Sequence, residues 1–138
     1  MCYWLAVVVW AGVIFYCSSM PSNKIHPLFP YADVVFHFYE YFVFYLLVYW
    51  AASNSFKKTI TSSVNKILVV ALIMVTLYAI SDEFHQLFVP GRQAEIKDVL
   101  IDFLGAFSAA VIVKKLCFRE RTFFTKKDAL PGPDPKAF

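Results

Sequence analysis

The sequence predicts an all-α fold, a four-transmembrane-helix bundle with both termini cytoplasmic. Hydrophobic residues make up 59% of the 138 residues and charged residues only 17%, whereas about a quarter of the residues of an average soluble domain are charged. The mean hydropathy is +0.58. The apolar residues are gathered in four runs, and four spans of about 20 residues each fit the length of the chain. These observations exclude an ordinary cytosolic globule, a disordered chain and a multidomain protein.

The first apolar run, residues 1–17, is predicted to be a helix that stays in the mature protein. A cleaved signal peptide begins with basic residues and has small residues at its cleavage site. No Lys or Arg precedes Lys24, and Phe15 and Tyr16 occupy the candidate junction. The run lies at the short end of the length range for a transmembrane helix.

The other three spans are predicted from the apolar runs at residues 33–52, 67–89 and 99–118. The sequence Val-Pro-Gly-Arg at 89–92 predicts a type II turn between the last two spans, with Pro and Gly in its central positions. The four spans therefore follow one another through short polar connectors.

The chain becomes polar after the fourth span, and three of its last eight residues are Pro. We therefore predict two parts: a four-helix membrane domain at residues 1–118, and a basic, flexible cytoplasmic tail at residues 119–138. No internal repeat or low-complexity tract is present in the sequence.

The net charge of +3 conceals an asymmetry between the two sides of the membrane. With four spans, the N-terminus, the second connector and the tail share one side, which carries ten basic and three acidic residues. The other side, with its helix ends, carries three basic and seven acidic residues. Because Lys and Arg are enriched in cytoplasmic segments, the basic side is predicted to be cytoplasmic. The chain is thus predicted to be a multi-pass protein of the cell membrane with an acidic outer face.

Acidic and histidine side chains gather at the outer ends of the predicted helices. An ionisable group inside a membrane span costs about 2.5–3.5 kcal/mol on insertion scales, so hydrophobic anchoring alone would not place them there. We therefore treat these residues and their polar neighbours as the candidate functional region, called the polar cluster. It comprises Asp33, His37, Glu40, Asp82, Glu83, His85, Gln86, Arg92, Asp98 and Asp102.

In the second span, Asp33, His37 and Glu40 share one helical face, with Tyr41 beside them. Asp33 is interpreted either as a helix N-cap or as a binding residue. His37 and Glu40 are interpreted either as partners in interhelical hydrogen bonds or as parts of a functional pocket.

The third span ends in the sequence Ser-Asp-Glu-Phe-His-Gln. Asp82, His85 and Gln86 share a helical face, and Glu83 points roughly 100° away. Two adjacent carboxylates near a region of low dielectric are suited to proton transfer near neutral pH. The alternative is an interfacial cluster that simply faces water. The candidate catalytic groups are His37, Asp82, Glu83 and His85.

Arg92 in the tight turn has two interpretations. It is predicted either to grip an anionic headgroup or to pair with one of the neighbouring carboxylates, those of Asp82, Glu83, Glu95 and Asp98. The fourth span presents Asp98, Asp102 and Gly105 on one face, where Gly105 is predicted to be a packing residue that allows close helix approach. The candidate binding residues are Asp33, Glu40, Gln86, Arg92, Asp98 and Asp102.

Metal binding is only weakly indicated by the sequence. Asp, Glu and His are suitable ligands for divalent ions, but no strict spacing such as His-Glu-x-x-His is present. We predict no metal, no cofactor and no nucleic-acid partner, and we leave the oligomeric state open.

Taken together, these residues resemble the VanZ-like family of small bacterial integral membrane proteins. The most specific part is Asp-Glu-x-His-Gln followed by Pro-Gly-Arg and then Asp. The resemblance covers about residues 10–113 and implies a bacterial cell membrane and a link to glycopeptide resistance, notably to teicoplanin, without a settled reaction. The family usually has Asn where this chain has Asp102; if that Asn donates a hydrogen bond, Asp102 does so only when protonated. The matching motifs are Cys17 to Pro21, Asp33 to Tyr41, Ala79 to Gln86, Phe88 to Arg92 and Asp98 to Ala106.

Three functions are compatible with these observations. We predict a VanZ-like membrane protein whose polar cluster binds a membrane lipid, a lipid-linked cell-envelope precursor or an antibiotic at the outer face. The first alternative is an outer-leaflet enzyme acting on a lipid-linked substrate, with His37 or His85 as general acid/base and Arg92 gripping an anionic headgroup. The second alternative is a small proton-coupled transporter, which the absence of a repeat or an interrupted helix disfavours.

Overall fold

The computed structural model consists of four α-helices joined by short connectors. An all-α fold is thus confirmed, and every predicted span lies mostly within one helix. The helices are α1 (Cys2–Ser18), α2 (Ala32–Phe56), α3 (Val64–Gln86) and α4 (Ile96–Asp128). The structure describes the backbone of residues 2–21, 29–56 and 64–128, and the side chains of residues 3–21, 29–55 and 64–119.

Two helix ends differ from the predicted spans. The third helix ends at Gln86 and not at Val89, because the next three backbone N–H groups bond to carbonyls only three residues back, which tightens the chain into turns. The fourth helix continues to Asp128, ten residues beyond the predicted end of its span. Its backbone therefore crosses the boundary predicted at Phe118 without a break, and the division into domain and tail stays a prediction. Residues 129–138 of the predicted tail lie outside the described residues.

The predicted type II turn is confirmed. The backbone N–H of Arg92 donates to the carbonyl of Val89 at 3.1 Å, and Gly91 has a φ of 77°. This is the left-handed conformation that the third position of a type II turn requires and that glycine adopts without a steric cost. The turn therefore fixes the position of Arg92 relative to the end of α3.

Hydrogen bonds between helices show that successive helices run in opposite directions. At one end of the bundle, Trp4 of α1 donates to Ser55 near the end of α2 at 2.9 Å. At the other end, Ser18 of α1 reaches Asp82 near the end of α3 at 2.7 Å. The start of α2 meets the start of α4 at this same end. The polar cluster is therefore gathered at one end of the bundle.

Small residues allow the helices to pack closely. Five alanines among the described residues have no exposed surface. A Cβ built on Gly105 would overlap the carbonyl oxygen of Phe38 and lie 3.1 Å from its carbonyl carbon. The prediction that Gly105 is a packing residue is thus confirmed, because only glycine leaves room for the α2 backbone at this point. The buried alanines are Ala51, Ala71, Ala79, Ala106 and Ala109.

The surface of the bundle is strongly apolar. Within the described residues, Ala32–Ser55 and Val64–Gln86 are long and apolar enough to cross a membrane, and Tyr3–Ser18 is a shorter apolar helix. Large hydrophobic side chains such as Leu5 and Leu77 are more than half exposed. Exposed apolar surface on this scale is unfavourable in water and is the surface that a membrane protein presents to lipid.

Candidate functional site

Five polar side chains are buried at the end of the bundle where the polar cluster lies. Each is at most 5% exposed, although burying a polar group without a hydrogen bond costs free energy. Their contacts therefore decide what this region can do. They are Ser18 of α1, Asp82, Glu83 and Gln86 of α3, and Asp102 of α4.

His37 and Asp102 form the central pair of this region. His37 Nδ1 lies 3.0 Å from Asp102 Oδ1, and the side chain of Asp102 is only 1% exposed. The carboxylate accepts from Nδ1–H, whether the imidazole ring is neutral or protonated. His37 therefore forms an interhelical hydrogen bond, as one of its two interpretations expected, and its partner is Asp102. The nearby contact of Gly105 with Phe38 holds α2 and α4 close enough for this pair.

Asp82 joins α3 to the end of α1. Its Oδ2 accepts a hydrogen bond from the Ser18 hydroxyl at 2.7 Å, and both residues are buried. Gln86, one turn further along α3, is 2% exposed and presents its amide on the same helical face. The alternative interpretation of this segment, an interfacial cluster that faces water, is therefore wrong for Asp82 and Gln86, because both are enclosed by the other helices.

Glu83 holds the start of α4. Its Oε1 accepts a hydrogen bond from the backbone N–H of Glu95, the residue before the first helical residue of α4. An N–H group at a helix start has no partner inside the helix and needs one elsewhere. Glu83 thus points away from Asp82, as the helical spacing predicts. One of its two carboxylate oxygens is hydrogen-bonded to the backbone at the start of α4.

His85 contacts the end of α1. Its Nε2 is 3.0 Å from the Ser19 hydroxyl, and its ring stacks on Phe15 with the ring centroids 4.5 Å apart. The two histidines therefore have different surroundings: His37 contacts a buried carboxylate, whereas His85 contacts α1. Of the two candidate general acid/base residues, only His37 has a carboxylate partner among the described side chains.

Arg92 binds the end of α1. Its Nε donates to the carbonyl of Met20 at 3.3 Å, and its Nη2 donates to the carbonyl of Cys17 at 3.2 Å. A guanidinium suits this position because the last carbonyls of a helix have no partner in the helix and carry partial negative charge. Among the described side chains, Arg92 forms no ion pair with a neighbouring carboxylate, which was one of its two interpretations. It caps the end of α1 instead.

Replacing Arg92 by glutamine is expected to loosen α1. Glutamine is shorter and uncharged, so it cannot keep both hydrogen bonds to Cys17 and Met20, and a hydrogen bond to a charged group contributes about 1.5–3 kcal/mol. Thermal unfolding of the detergent-solubilised chain measures the loss. Lys97→Gln is the matched control, because Lys97 is exposed and its ion pair among the described side chains is with the exposed carboxylate of Glu95. Equal unfolding temperatures for the two variants would contradict the capping role.

The remaining residues of the polar cluster lie at its edge. Asp33 is exposed in the first turn of α2, and Asp98 is half-buried in the first turn of α4. A negative carboxylate is stabilised at a helix start, where the helix dipole is positive. Glu40 is half-buried on α2, and its backbone carbonyl accepts from the Trp10 indole at 3.1 Å. Asp33 is the second residue of α2 and not its N-cap, so that interpretation is wrong, although the carboxylate does lie in the first turn. Its binding interpretation stays a prediction.

Buried polar atoms without a partner mark the interior of the site. Four of the residues just described and Tyr41 each have one buried side-chain N or O atom that makes no well-formed hydrogen bond within the described part of the chain. The Gln86 amide nevertheless lies close enough to the Asp82 carboxylate to stabilise its charge. Most buried polar atoms in proteins do have a partner. The atoms come from α2, α3 and α4 and meet at one end of the bundle. They are Tyr41 Oη, Asp82 Oδ1, Glu83 Oε2, Gln86 Nε2 and Asp102 Oδ2.

The described side chains do not form a metal site. No group of three or more His, Cys, Asp or Glu residues among them is arranged to hold a metal ion. The carboxylates instead bind a hydroxyl, a backbone N–H and an imidazole, each on a different neighbour.

Two serines at the end of α1 belong to the site, although no sequence pattern predicts a role for them. Ser18 contacts Asp82 and Ser19 contacts His85, so α1 completes the site from the side. The available signal was their position at the end of the first apolar run, at the same depth as the end of the third. Helical spacing predicts Tyr41 beside His37 and Glu40, but its complete burial depends on the packing of the other helices.

Comparison with known proteins gives one match. A family model described as VanZ/LLP1 matches residues 3–119, which include all four helices up to Arg119 and every residue of the polar cluster. No curated protein and no solved structure matches the chain.

Proposed function

Because the chain belongs to the VanZ/LLP1 family, we propose that it is a four-span membrane protein that binds the polar part of a ligand in the polar cluster at its outer face. The ligand is a membrane lipid, a lipid-linked cell-envelope precursor or an antibiotic. Both termini are cytoplasmic in this proposal, and the membrane is that of a bacterial cell.

The distribution of charge supports the proposed topology. The described basic side chains at the end opposite the polar cluster are Lys66 near the start of α3 and Lys114, Lys115 and Arg119 on α4. The acidic side chains from Asp33 to Asp102 all lie at the polar-cluster end. A cytoplasmic basic end follows the general bias of Lys and Arg, and the antiparallel order of the helices then directs the polar cluster outward.

Single-cysteine labelling checks this topology. The chain without its three cysteines receives Gln93→Cys, in the exposed connector at the polar-cluster end, or Asn65→Cys, exposed at the basic end. A membrane-impermeant maleimide added to intact cells is expected to label the first variant, and to label the second only after the cells are permeabilised. The reverse pattern would overturn the orientation, and labelling of both in intact cells would overturn the four-span arrangement.

The observation that carries the binding proposal is the group of buried, unpartnered polar atoms. Three of the five atoms are carboxylate oxygens, which accept hydrogen bonds, and the others belong to a tyrosine hydroxyl and a glutamine amide. Leaving each such group unsatisfied costs about 1–3 kcal/mol, which a ligand with matching polar groups would recover on binding. Acceptors outnumber donors, so the matching ligand carries hydroxyl or amino groups.

A second candidate function, acid/base catalysis, is favoured by the contact between His37 and Asp102. A buried carboxylate that accepts from one imidazole nitrogen orients the ring and stabilises its protonated form, while the other nitrogen exchanges a proton with substrate. In this alternative His37 is the general acid/base, Asp102 positions it, and Asp82 and Glu83 line the site. No observation favours the transporter alternative, since α2 and α3 are uninterrupted helices.

His37→Asn separates binding from catalysis. The asparagine amide keeps a donor close to the place of Nδ1, so the bond to Asp102 is retained, but the side chain no longer exchanges protons at neutral pH. The assay is the teicoplanin susceptibility of a bacterial host that expresses the full chain, with protein levels checked by immunoblot. Binding predicts partial loss of protection, at most about tenfold, whereas catalysis predicts complete loss.

Asp82→Asn and Asp33→Asn complete this test. Asp82 is buried and has an unpartnered oxygen, whereas Asp33 is exposed on the same end of the bundle. The binding proposal expects graded loss for Asp82→Asn, because the amide replaces one acceptor by a donor, and no loss for Asp33→Asn. If all three variants, expressed normally, protected as well as the wild type, neither binding nor catalysis in the polar cluster would stand.

A further inference from the structure

A second site lies at the opposite end of the bundle, in an open groove between α3 and α4. Its larger part has a volume of about 810 Å³, and a second part of about 240 Å³ adjoins it towards the middle of the helices. Asn65, Val111 and Lys114 line both parts, so the two form one continuous groove. None of the residues of the polar cluster lines it.

The inner part of the groove has apolar walls. Leu68, Val69 and Leu72 line it from α3, and Phe107 and Val111 line it from α4. From Phe107 to Lys114 the groove follows two turns of α4, about 10 Å. The side chains of Val69 and Phe107 are 55% and 46% exposed, so this wall is open to the surroundings of the bundle. In a membrane protein these surroundings are acyl chains.

The outer part of the groove is basic. Lys114 and Lys115 line it beside Arg119, Asn65 adds an amide, and no acidic residue is among the described residues that line either part. The adjacent charges of Lys114 and Lys115 are stabilised by an anion that lies close to both. A groove that changes from apolar to basic along its length matches a molecule with an acyl chain and an anionic headgroup.

We propose that this groove binds an anionic phospholipid of the leaflet at the basic end. One acyl chain lies between α3 and α4 along Leu72 and Phe107, the phosphate contacts Lys114 and Lys115, and the Asn65 amide donates to a headgroup oxygen. Basic pockets between transmembrane helices bind anionic lipid headgroups in this way. Lipid binding in this groove requires that the chain lies in a membrane but does not depend on the function of the polar cluster. Each of the two proposals can therefore fail without the other.

Lipid binding is measured by native mass spectrometry of the full chain in detergent, titrated with phosphatidylglycerol or with phosphatidylcholine. The wild type is expected to retain phosphatidylglycerol in preference to phosphatidylcholine. Removing two charges in Lys114→Gln/Lys115→Gln is expected to weaken phosphatidylglycerol binding about 25-fold, since one basic residue near a membrane surface contributes about fivefold. Lys66→Gln/Lys97→Gln removes the same charge from exposed residues that do not line the groove, and is expected to bind like the wild type.

Val111→Trp tests the apolar part of the groove with every charge kept. The indole fills the space between α3 and α4, so phosphatidylglycerol binding is expected to fall at least tenfold. Val69→Trp fills it from a more exposed position and replaces the first variant if that one does not fold. Equal losses in the two lysine pairs would mean general electrostatic attraction and overturn the site. Unchanged binding in the tryptophan variants, or full competition by soluble glycerol phosphate, would overturn the acyl-chain contact.

Discussion

Replacing Gly105 by alanine is expected to lower the free energy of unfolding by about 3 kcal/mol, the upper part of the range for overpacked interiors. The new Cβ would overlap the carbonyl oxygen of Phe38, which belongs to the α2 backbone and cannot rotate away as a side chain can. The two helices have to separate, and their separation also lengthens the contact between His37 and Asp102. Denaturant or thermal unfolding in detergent measures the loss of stability.

Gly12→Ala is the matched control for this substitution. Gly12 also lies within a helix, but apart from its chain neighbours and the backbone of its own helix no described atom comes within 4 Å of a Cβ built there. Alanine is intrinsically the better helix former by about 1 kcal/mol, so Gly12→Ala is expected to leave stability unchanged or slightly raised. If both variants unfolded at the wild-type temperature, close packing of α2 and α4 at Gly105 would not be required for the fold.

Replacing Asp102 by leucine is expected to have the second large effect, a loss of about 3–5 kcal/mol of stability. The substitution removes the buried partner of His37 and leaves a half-buried imidazole against an apolar surface. Asp102→Asn keeps an oxygen that accepts from Nδ1–H. Its expected cost is only about 1 kcal/mol, because a neutral hydrogen bond replaces a charged one. Thermal unfolding of the two variants in the same detergent gives the comparison.

A double substitution shows whether the pair acts as a unit. In His37→Phe/Asp102→Leu both polar partners are gone, and the double variant is expected to be more stable than Asp102→Leu alone. Asp33→Leu, on an exposed carboxylate of the same bundle end, is the control and is expected to change stability little. If Asp102→Asn were as damaging as Asp102→Leu, the negative charge rather than the hydrogen bond would hold the two helices together.

The geometry also shows that an asparagine fits the position of Asp102. The side chain accepts a hydrogen bond from His37 through one oxygen, and an asparagine amide has such an oxygen. Asp102 has to be protonated only if its side chain donates a hydrogen bond. Because its contact with Nδ1 allows it to accept one, protonation is not required. What Asp102 adds to Asn is negative charge beside His37, which stabilises the protonated ring.

Much of the fold could be predicted because its signals are local. Four apolar runs predict four helices, and Pro90 followed by Gly91 predicts the turn that the structure contains. The end of α3 could not be predicted from hydropathy, because Leu87 to Val89 are as apolar as the helix before them. There the approach to Pro90 and the tight turns decide where the helix ends.

The candidate site could be predicted in its members but not in its contacts. Helical spacing groups His37 with Glu40 on one face, yet the partner of His37 lies on α4, 65 residues further along the chain. Arg92 lies close to four carboxylates in the sequence, yet its hydrogen bonds go to the carbonyls that end α1. Both outcomes depend on how each helix is rotated about its axis, which no pattern within a single helix determines.

The sequence by itself therefore determined the number of helices, their apolar character, the turn before α4 and the gathering of acidic and histidine residues at one end. These properties depend on residue composition and on neighbours within a few positions. Only the tertiary structure decided that Asp102 pairs with His37 and that Ser18 and Arg92 tie α1 to the site. It also decided that five polar atoms among the described side chains are buried without a well-formed hydrogen bond. The close contact at Gly105 sets the separation of α2 and α4, and this separation brings side chains from distant parts of the chain within hydrogen-bonding distance.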